Sequence, residues 1–75
     1  MQAIWVLCGG QSSEHDISLL SARNVVNVLS KMHYAVSVLY VTREAKWYHL
    51  SADVFLQHGV QRAIETGSAT RMLLL

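Results

Sequence analysis

The sequence predicts an α/β fold that opens with a βαβ unit and builds on a parallel sheet. Three observations predict it. Ala3 to Cys8 is an almost unbroken apolar run, a long amphipathic stretch follows, and Tyr34 to Val41 is a second run rich in β-branched and aromatic residues. Uninterrupted apolarity is the pattern of a strand covered on both faces, the usual state of a parallel strand. Two such runs joined by one helix lie parallel by the right-handed crossover rule.

Gly9 and Gly10 end the first strand. Ser12, Ser13 and Asp16 then offer side-chain oxygens to the open N–H groups of a helix start, and Ser13 with Asp16 resembles a capping box with Asp in place of Glu or Gln. The helix is expected from Glu14 to about Met32. Ala22, Val25, Val26, Leu29 and Met32 recur on its apolar side, with Arg23, Asn24, Asn27 and Lys31 opposite. Ser18 and Ser21 fall near the apolar side of the first turns, where back-bonding to helix carbonyls is the expected use of a hydroxyl.

After the second strand, Thr42 to Lys46 is a polar break and Trp47 to Leu50 reads as a short edge strand. Ser51 offers an N-cap to a short helix over Val54, Phe55 and Leu56, stopped near His58-Gly59. Val60 to Glu65 has the composition to extend a helix that Gly67-Ser68 breaks. Arg71 to Leu75 reads as the start of another buried strand.

With 75 residues, the chain is short for a full α/β domain, and a domain of this size buries only about 60% of the surface its unfolded form exposes. Its 52% hydrophobic content against 15% charge is rich for so small a globule. No repeat or linker divides it, so the expectation is one incomplete domain, part of something larger. A net charge of +1 with scattered Lys and Arg leaves no basic stripe, which argues against a nucleic-acid partner. The longest apolar runs fall far short of the roughly 18 residues of a membrane span. The first residues lack the basic-then-apolar order of a secretion signal. A single cysteine fits a reducing cytoplasm.

The chemistry concentrates in residues 9 to 18, Gly-Gly-Gln-Ser-Ser-Glu-His-Asp-Ile-Ser, at the handover from strand to helix. Open α/β sheets hold ligands there, because the loop leaves the carboxyl end of a strand and a helix N-terminus presents N–H groups beside it. Two glycines permit a sharp turn and close backbone approach, though they make neither a Gly-x-Gly-x-x-Gly fingerprint nor a P-loop. Glu14 stands out. A carboxylate in a first helical turn is favoured by the macrodipole and suits a cationic ligand, to which a charge-assisted hydrogen bond contributes about 1.5 to 3 kcal/mol. The plain alternative is a solvated helix-start acid.

The run Gly9 to Ser18, followed by Ser21-Ala22-Arg23-Asn24-Val25 and later Trp47-Tyr48, resembles the N-terminal segment of D-alanine-D-alanine ligases, whose pattern is Gly-Gly-x-Ser-x-Glu-His/Arg-x-Val/Ile-Ser. The likeness covers residues 2 to about 56. It is shared by D-alanine-D-lactate and D-alanine-D-serine ligases, so the second substrate stays open. The resemblance implies a partial pre-ATP-grasp, Rossmann-like lobe from a cytoplasmic, homodimeric enzyme of peptidoglycan precursor synthesis. In that family ATP phosphorylates the first D-alanine and the amine of the second attacks the acyl phosphate, with Mg2+ at the phosphates. It further implies that Glu14 orients the first D-alanine through its ammonium, that Ile17 lines the D-alanine pocket unless it is simply a core residue, and that Ser18, like Gly9, Gly10 and Ser12, belongs to the motif loop in a structural role.

The departures are as informative. The family's His-Gly-x-x-Gly-Glu-Asp-Gly segment, its ATP-binding lysines and glutamates and its magnesium-binding acids do not occur in these residues, and His58-Gly59 is followed by Val60-Gln61-Arg62-Ala63 rather than the acidic sequence. The expectation is therefore a segment that binds neither ATP nor metal and is inactive alone. Two other classes stay open: a small nucleotide-binding module, with Glu44 as its ribose partner, and a truncated interaction protein that pairs through an exposed sheet edge. Cys8 reads as buried rather than nucleophilic. His15, His33, His49 and His58 lack metal-ligand spacing, and Trp47 and Tyr48 read as sheet-edge packing.

Overall fold

The first apolar run forms β1 (Ala3–Gly9), and its passage through an amphipathic helix, α1 (His15–Lys31), into β2 (Ala35–Val41) completes the βαβ unit. The chain continues through β3 (Trp47–Ser51), α2 (Ala52–Thr66) and β4 (Thr70–Met72). This computed structural model describes residues 2–73; Leu74 and Leu75 of the expected last strand lie outside them. The sheet runs in the order β1-β2-β3-β4. β1 and β2 pair in parallel, while β3 pairs antiparallel with β2, and β4 antiparallel with β3. The protein is thus an α/β fold whose parallel character resides in its opening unit.

Both helices lie on one face of the sheet. α1 packs on β1 and β2, and α2 packs on β2, β3 and α1. Cys8, Val38, Tyr40 and Leu50 form the buried sheet side of the core, with Ala22 and Val26 from α1 and Phe55 and Ala63 from α2 closing over them. Strand alternation places Trp5, Leu7, Leu39, Val41 and Trp47 on the opposite face. Among the described residues nothing covers that face, and Trp5 and Leu7 are 57% and 61% exposed. The expectation of β1 covered on both faces is therefore corrected: a right-handed crossover puts α1 on one side, and α2 returns to the same side.

The helix ends show where local chemistry decided. α1 begins at His15 with Glu14 as its N-cap, and no side chain caps it. Ser12 Oγ instead accepts from the Glu14 amide at 3.2 Å, so the Ser13-Asp16 box does not form. Asp16 is engaged elsewhere, in an exposed ion pair with Arg43 at 3.1 Å, a contact of small energetic weight in solvent. At the other end His33 takes the left-handed conformation, φ 66°. The amides of His33 and Tyr34 then close back on Ser30 and Leu29, satisfying the last carbonyls. Of the expected apolar stripe, Ala22 and Val26 are buried and Leu29 partly so, whereas Val25 and Met32 are 46% and 57% exposed. Ser21 is exposed too. These side chains face away from the single covered side of the sheet.

Ser51 caps α2 as expected, its Oγ accepting from the Val54 amide at 3.2 Å. The helix does not stop at Gly59; it passes through a kink there, φ 78° and ψ 173°, and runs on to Thr66, where Gly67 ends it. A kink deprives nearby carbonyls of their helical donors, and Arg23 of α1 donates from Nη2 to the Leu56 carbonyl at 2.7 Å. β3 is interior, since β4 pairs along its far side. Among the described residues β4 is the edge, with Thr70 and Arg71 exposed and Met72 half-buried, so the described part of the expected buried strand is a short, open one.

Candidate functional site

Gly9 and Gly10 sit at the carboxyl end of β1, with φ values of 89° and 105° that favour glycine. Their backbone is tied down on every side. The Gly9 amide donates to Ser18 Oγ at 2.7 Å, and the Gly10 amide donates to the Val41 carbonyl at 2.7 Å. Ser18 also back-bonds to the His15 carbonyl at 3.0 Å, the helix back-bonding expected of it, while spanning the turn to Gly9. With both glycine amides spent inside the fold, neither is free to cradle a phosphate.

His15 is the functional-loop residue that sequence reasoning missed. It is the buried polar residue of the described core, 3% exposed. Its Nδ1 lies 2.6 Å from the Gly10 carbonyl and its Nε2 lies 2.9 Å from the Tyr40 hydroxyl. The two rings meet edge to face, 5.5 Å between centroids. Burial, the largest cause, pushes the Tyr40 phenol above its usual range, which keeps it a hydroxyl donor. The available signal was the position of His15 one residue into the helix, beneath a glycine turn that leaves a carbonyl to be satisfied.

These contacts leave the segment Gln11 to Glu14 exposed at the rim. Glu14 projects from the N-cap position of α1, and among the described residues its carboxylate enters no ion pair. Ile17 is 57% exposed, so it is not a core residue of the helix start; it lies near the same end of α1 as Glu14. Ser12 holds the Glu14 amide, and Ser18 holds Gly9. A cleft of about 460 Å³ runs along α1 and the α2 kink, lined by Leu19, Leu20, Phe55 and Val60 together with Asp16 and Arg23. Glu14 does not line it.

Cys8 stands just before the turn, 4% exposed. Burial pushes its thiol up to about 11, so it is no nucleophile at neutral pH. We expect Cys8 to resist iodoacetamide at pH 7.5 in the folded chain and to react fully in urea; rapid labelling without denaturant would contradict its burial. Among the described residues no group of three His, Cys, Asp or Glu side chains is placed to hold a metal ion. No described helix is long and apolar enough to cross a membrane.

Comparison with known proteins places the fold in a family. The D-ala D-ala ligase N-terminus family model matches residues 3–71. A D-alanine-D-alanine ligase of Coxiella burnetii (strain RSA 331 / Henzerling II) is 43% identical over 67 residues, 88% of this chain and 18% of that enzyme. The solved D-alanine-D-alanine ligase structure from Coxiella burnetii superposes with a TM-score of 0.91 at 38% identity, over 100% of this chain and 23% of that one. VanG D-Ala:D-Ser ligase from Enterococcus faecalis shares the fold, with a TM-score of 0.74 at 22% identity over 99% of this chain and 22% of that chain. The chain spans about a fifth of the length of these relatives. With a family model that matches residues 3–71 and the fold shared over its whole length, the chain belongs to the D-ala D-ala ligase N-terminus family.

Proposed function

We propose that this chain is the N-terminal segment of an ATP-dependent D-alanine-D-alanine ligase, inactive alone, and that Glu14 receives the ammonium group of the first D-alanine. The observation that carries the reading is an exposed, unpaired carboxylate at a helix N-terminus, presented by a rigid glycine turn at the carboxyl end of a strand. Such a carboxylate offers acceptors only, so it selects an N–H bearing cation and orients it. Ile17, exposed on the same end of α1, supplies an apolar contact for the substrate methyl.

ATP with Mg2+ supplies the activation of the first substrate's carboxylate in this proposal. The residues here do not fit a phosphate cradle, because the Gly9 and Gly10 amides are engaged internally. Nucleotide and metal are assigned to other parts of a ligase-length protein. The same engagement tells against a nucleotide-binding module. The proposed setting is cytoplasmic synthesis of peptidoglycan precursors.

A chimera tests this directly: the chain replaces the matching 67 residues of the Coxiella burnetii ligase, and D-alanyl-D-alanine formation is followed. We expect activity, and Glu14→Gln is expected to raise the KM for the first D-alanine by about tenfold to a hundredfold, the loss of one charge-assisted hydrogen bond. The KM for ATP stays within about twofold. A folded chimera without turnover, or equal effects on both substrates, sinks the reading.

A further inference from the structure

We propose that His15 is the positioning residue of the Glu14 loop, acting through a hydrogen-bonded chain that runs from the Tyr40 hydroxyl through the imidazole to the Gly10 carbonyl. This rests on the reading of Glu14 as the ammonium-binding acid and says how that acid is held in place.

The proton positions follow from the partners. A backbone carbonyl only accepts, so Nδ1, 2.6 Å from the Gly10 oxygen, carries the hydrogen. In the neutral ring Nε2 then has a lone pair, which receives the Tyr40 hydroxyl hydrogen at 2.9 Å. Each partner is rigid for its own reason. Tyr40 is buried in β2, in register between Cys8 of β1 and Tyr48 of β3. Gly10 is held from the other side by its amide bond to the Val41 carbonyl. The ring therefore fastens the turn to the second strand and leaves Gln11 to Glu14 as a short bridge between Gly10 and the helix.

Glycine at position 10 makes this clamp necessary. At φ 105° with no atom within 4 Å of where a Cβ would stand, Gly10 has no packing of its own to hold it and a conformation that glycine leaves easily, so its two backbone hydrogen bonds are what fix it. Without a partner for its carbonyl, Gly10 keeps only its amide bond to Val41, and the peptide that leads into Gln11 to Glu14 would be free to rotate and shift the Glu14 carboxylate. A side chain that merely filled the core at position 15 would not prevent this; a donor at the Nδ1 position would. The function of His15 is thus separable from its bulk.

Two measurements test the proposal. In the chain itself, 15N spectra of the labelled imidazole are expected to show His15 protonated on Nδ1 and bare on Nε2 in its neutral form; a hydrogen on Nε2 overturns the clamp. In the ligase chimera, His15→Asn retains a donor at the Nδ1 position and is expected to keep the KM for D-alanine within about threefold. His15→Gln, whose amide reaches only the Nε2 position, is expected to raise it by about tenfold, with the KM for ATP unchanged in both. Equal losses in the two variants, or matching losses for ATP, overturn it. The ring spectrum needs no ligase activity. An Nδ1 hydrogen in a chain whose Glu14→Gln chimera uses D-alanine normally removes the proposed function and leaves the clamp; an Nε2 hydrogen removes the clamp whatever Glu14 does.

Discussion

Gly9→Ala is expected to leave the chain without a stable fold. Gly9 has φ 89°, and a Cβ there collides with the Val41 carbonyl oxygen and comes within 2.8 Å of the Tyr40 ring. Neither neighbour has room to give. Val41 pairs with Gly9 across the parallel ladder, and Tyr40 is buried and bonded to His15. A positive φ alone costs an alanine about 1 to 2 kcal/mol, and the overlap adds strain of a further 1 to 3 kcal/mol or about that size. The stability of a small domain is of the order of 5 kcal/mol, so most of it is lost. Gly10→Ala is the control. Its Cβ meets nothing within 4 Å, so only the backbone cost remains. Urea unfolding followed by circular dichroism distinguishes the two, and equal losses would show that the close approach of β1 to β2 at Gly9 is not the cause.

Leu50→Ala is expected to destabilise the fold by about 2 to 5 kcal/mol, the range for emptying a well-packed leucine site. Leu50 is 0% exposed. It pairs with Val38 in the register of β2 and β3 and stands on the side that α2 covers. Three elements would have to move to refill the space. Leu7 has the same chemistry on the bare face, where it is 61% exposed. Leu7→Ala is expected to cost under about 1 kcal/mol. The pair of denaturation midpoints tests the one-sided layering itself; a Leu7 loss equal to that of Leu50 would mean that the open face is covered in solution.

Much of this architecture was legible in the residues. β1 and β2 were readable because their apolar runs are long and β-branched, and α1 because its stripe repeats at helical spacing. The Ser51 cap was readable because it depends on one side chain and an amide three residues on. Failures clustered where an outcome depended on distant partners. Apolarity in β1 signals removal from water but not what removes it, so Trp5 and Leu7 were indistinguishable from Val6 and Cys8. The place of β3 inside the sheet depended on β4, a three-residue strand too short to carry a period. Gly59 looked like a stop because glycine ends helices, yet Arg23 from another helix satisfies the carbonyl released at its kink.

The candidate site divides in the same way. Gly9, Gly10, Ser12, Glu14 and Ser18 are legible along the chain because they lie within ten residues at one strand-to-helix handover and their chemistry is local, whereas Ile17 enters only through the resemblance to the ligase motif. The structural role of His15 is not legible along the chain, because a histidine's role depends on what meets its two nitrogens, and one of those partners, Tyr40, is 25 residues away. By itself the sequence determined the opening βαβ unit, the turn and the exposed acid, since short-range sterics and periodicity suffice for these. Only the tertiary structure decided which sheet face is covered and what clamps the turn, because both depend on contacts between segments that nothing local brings together.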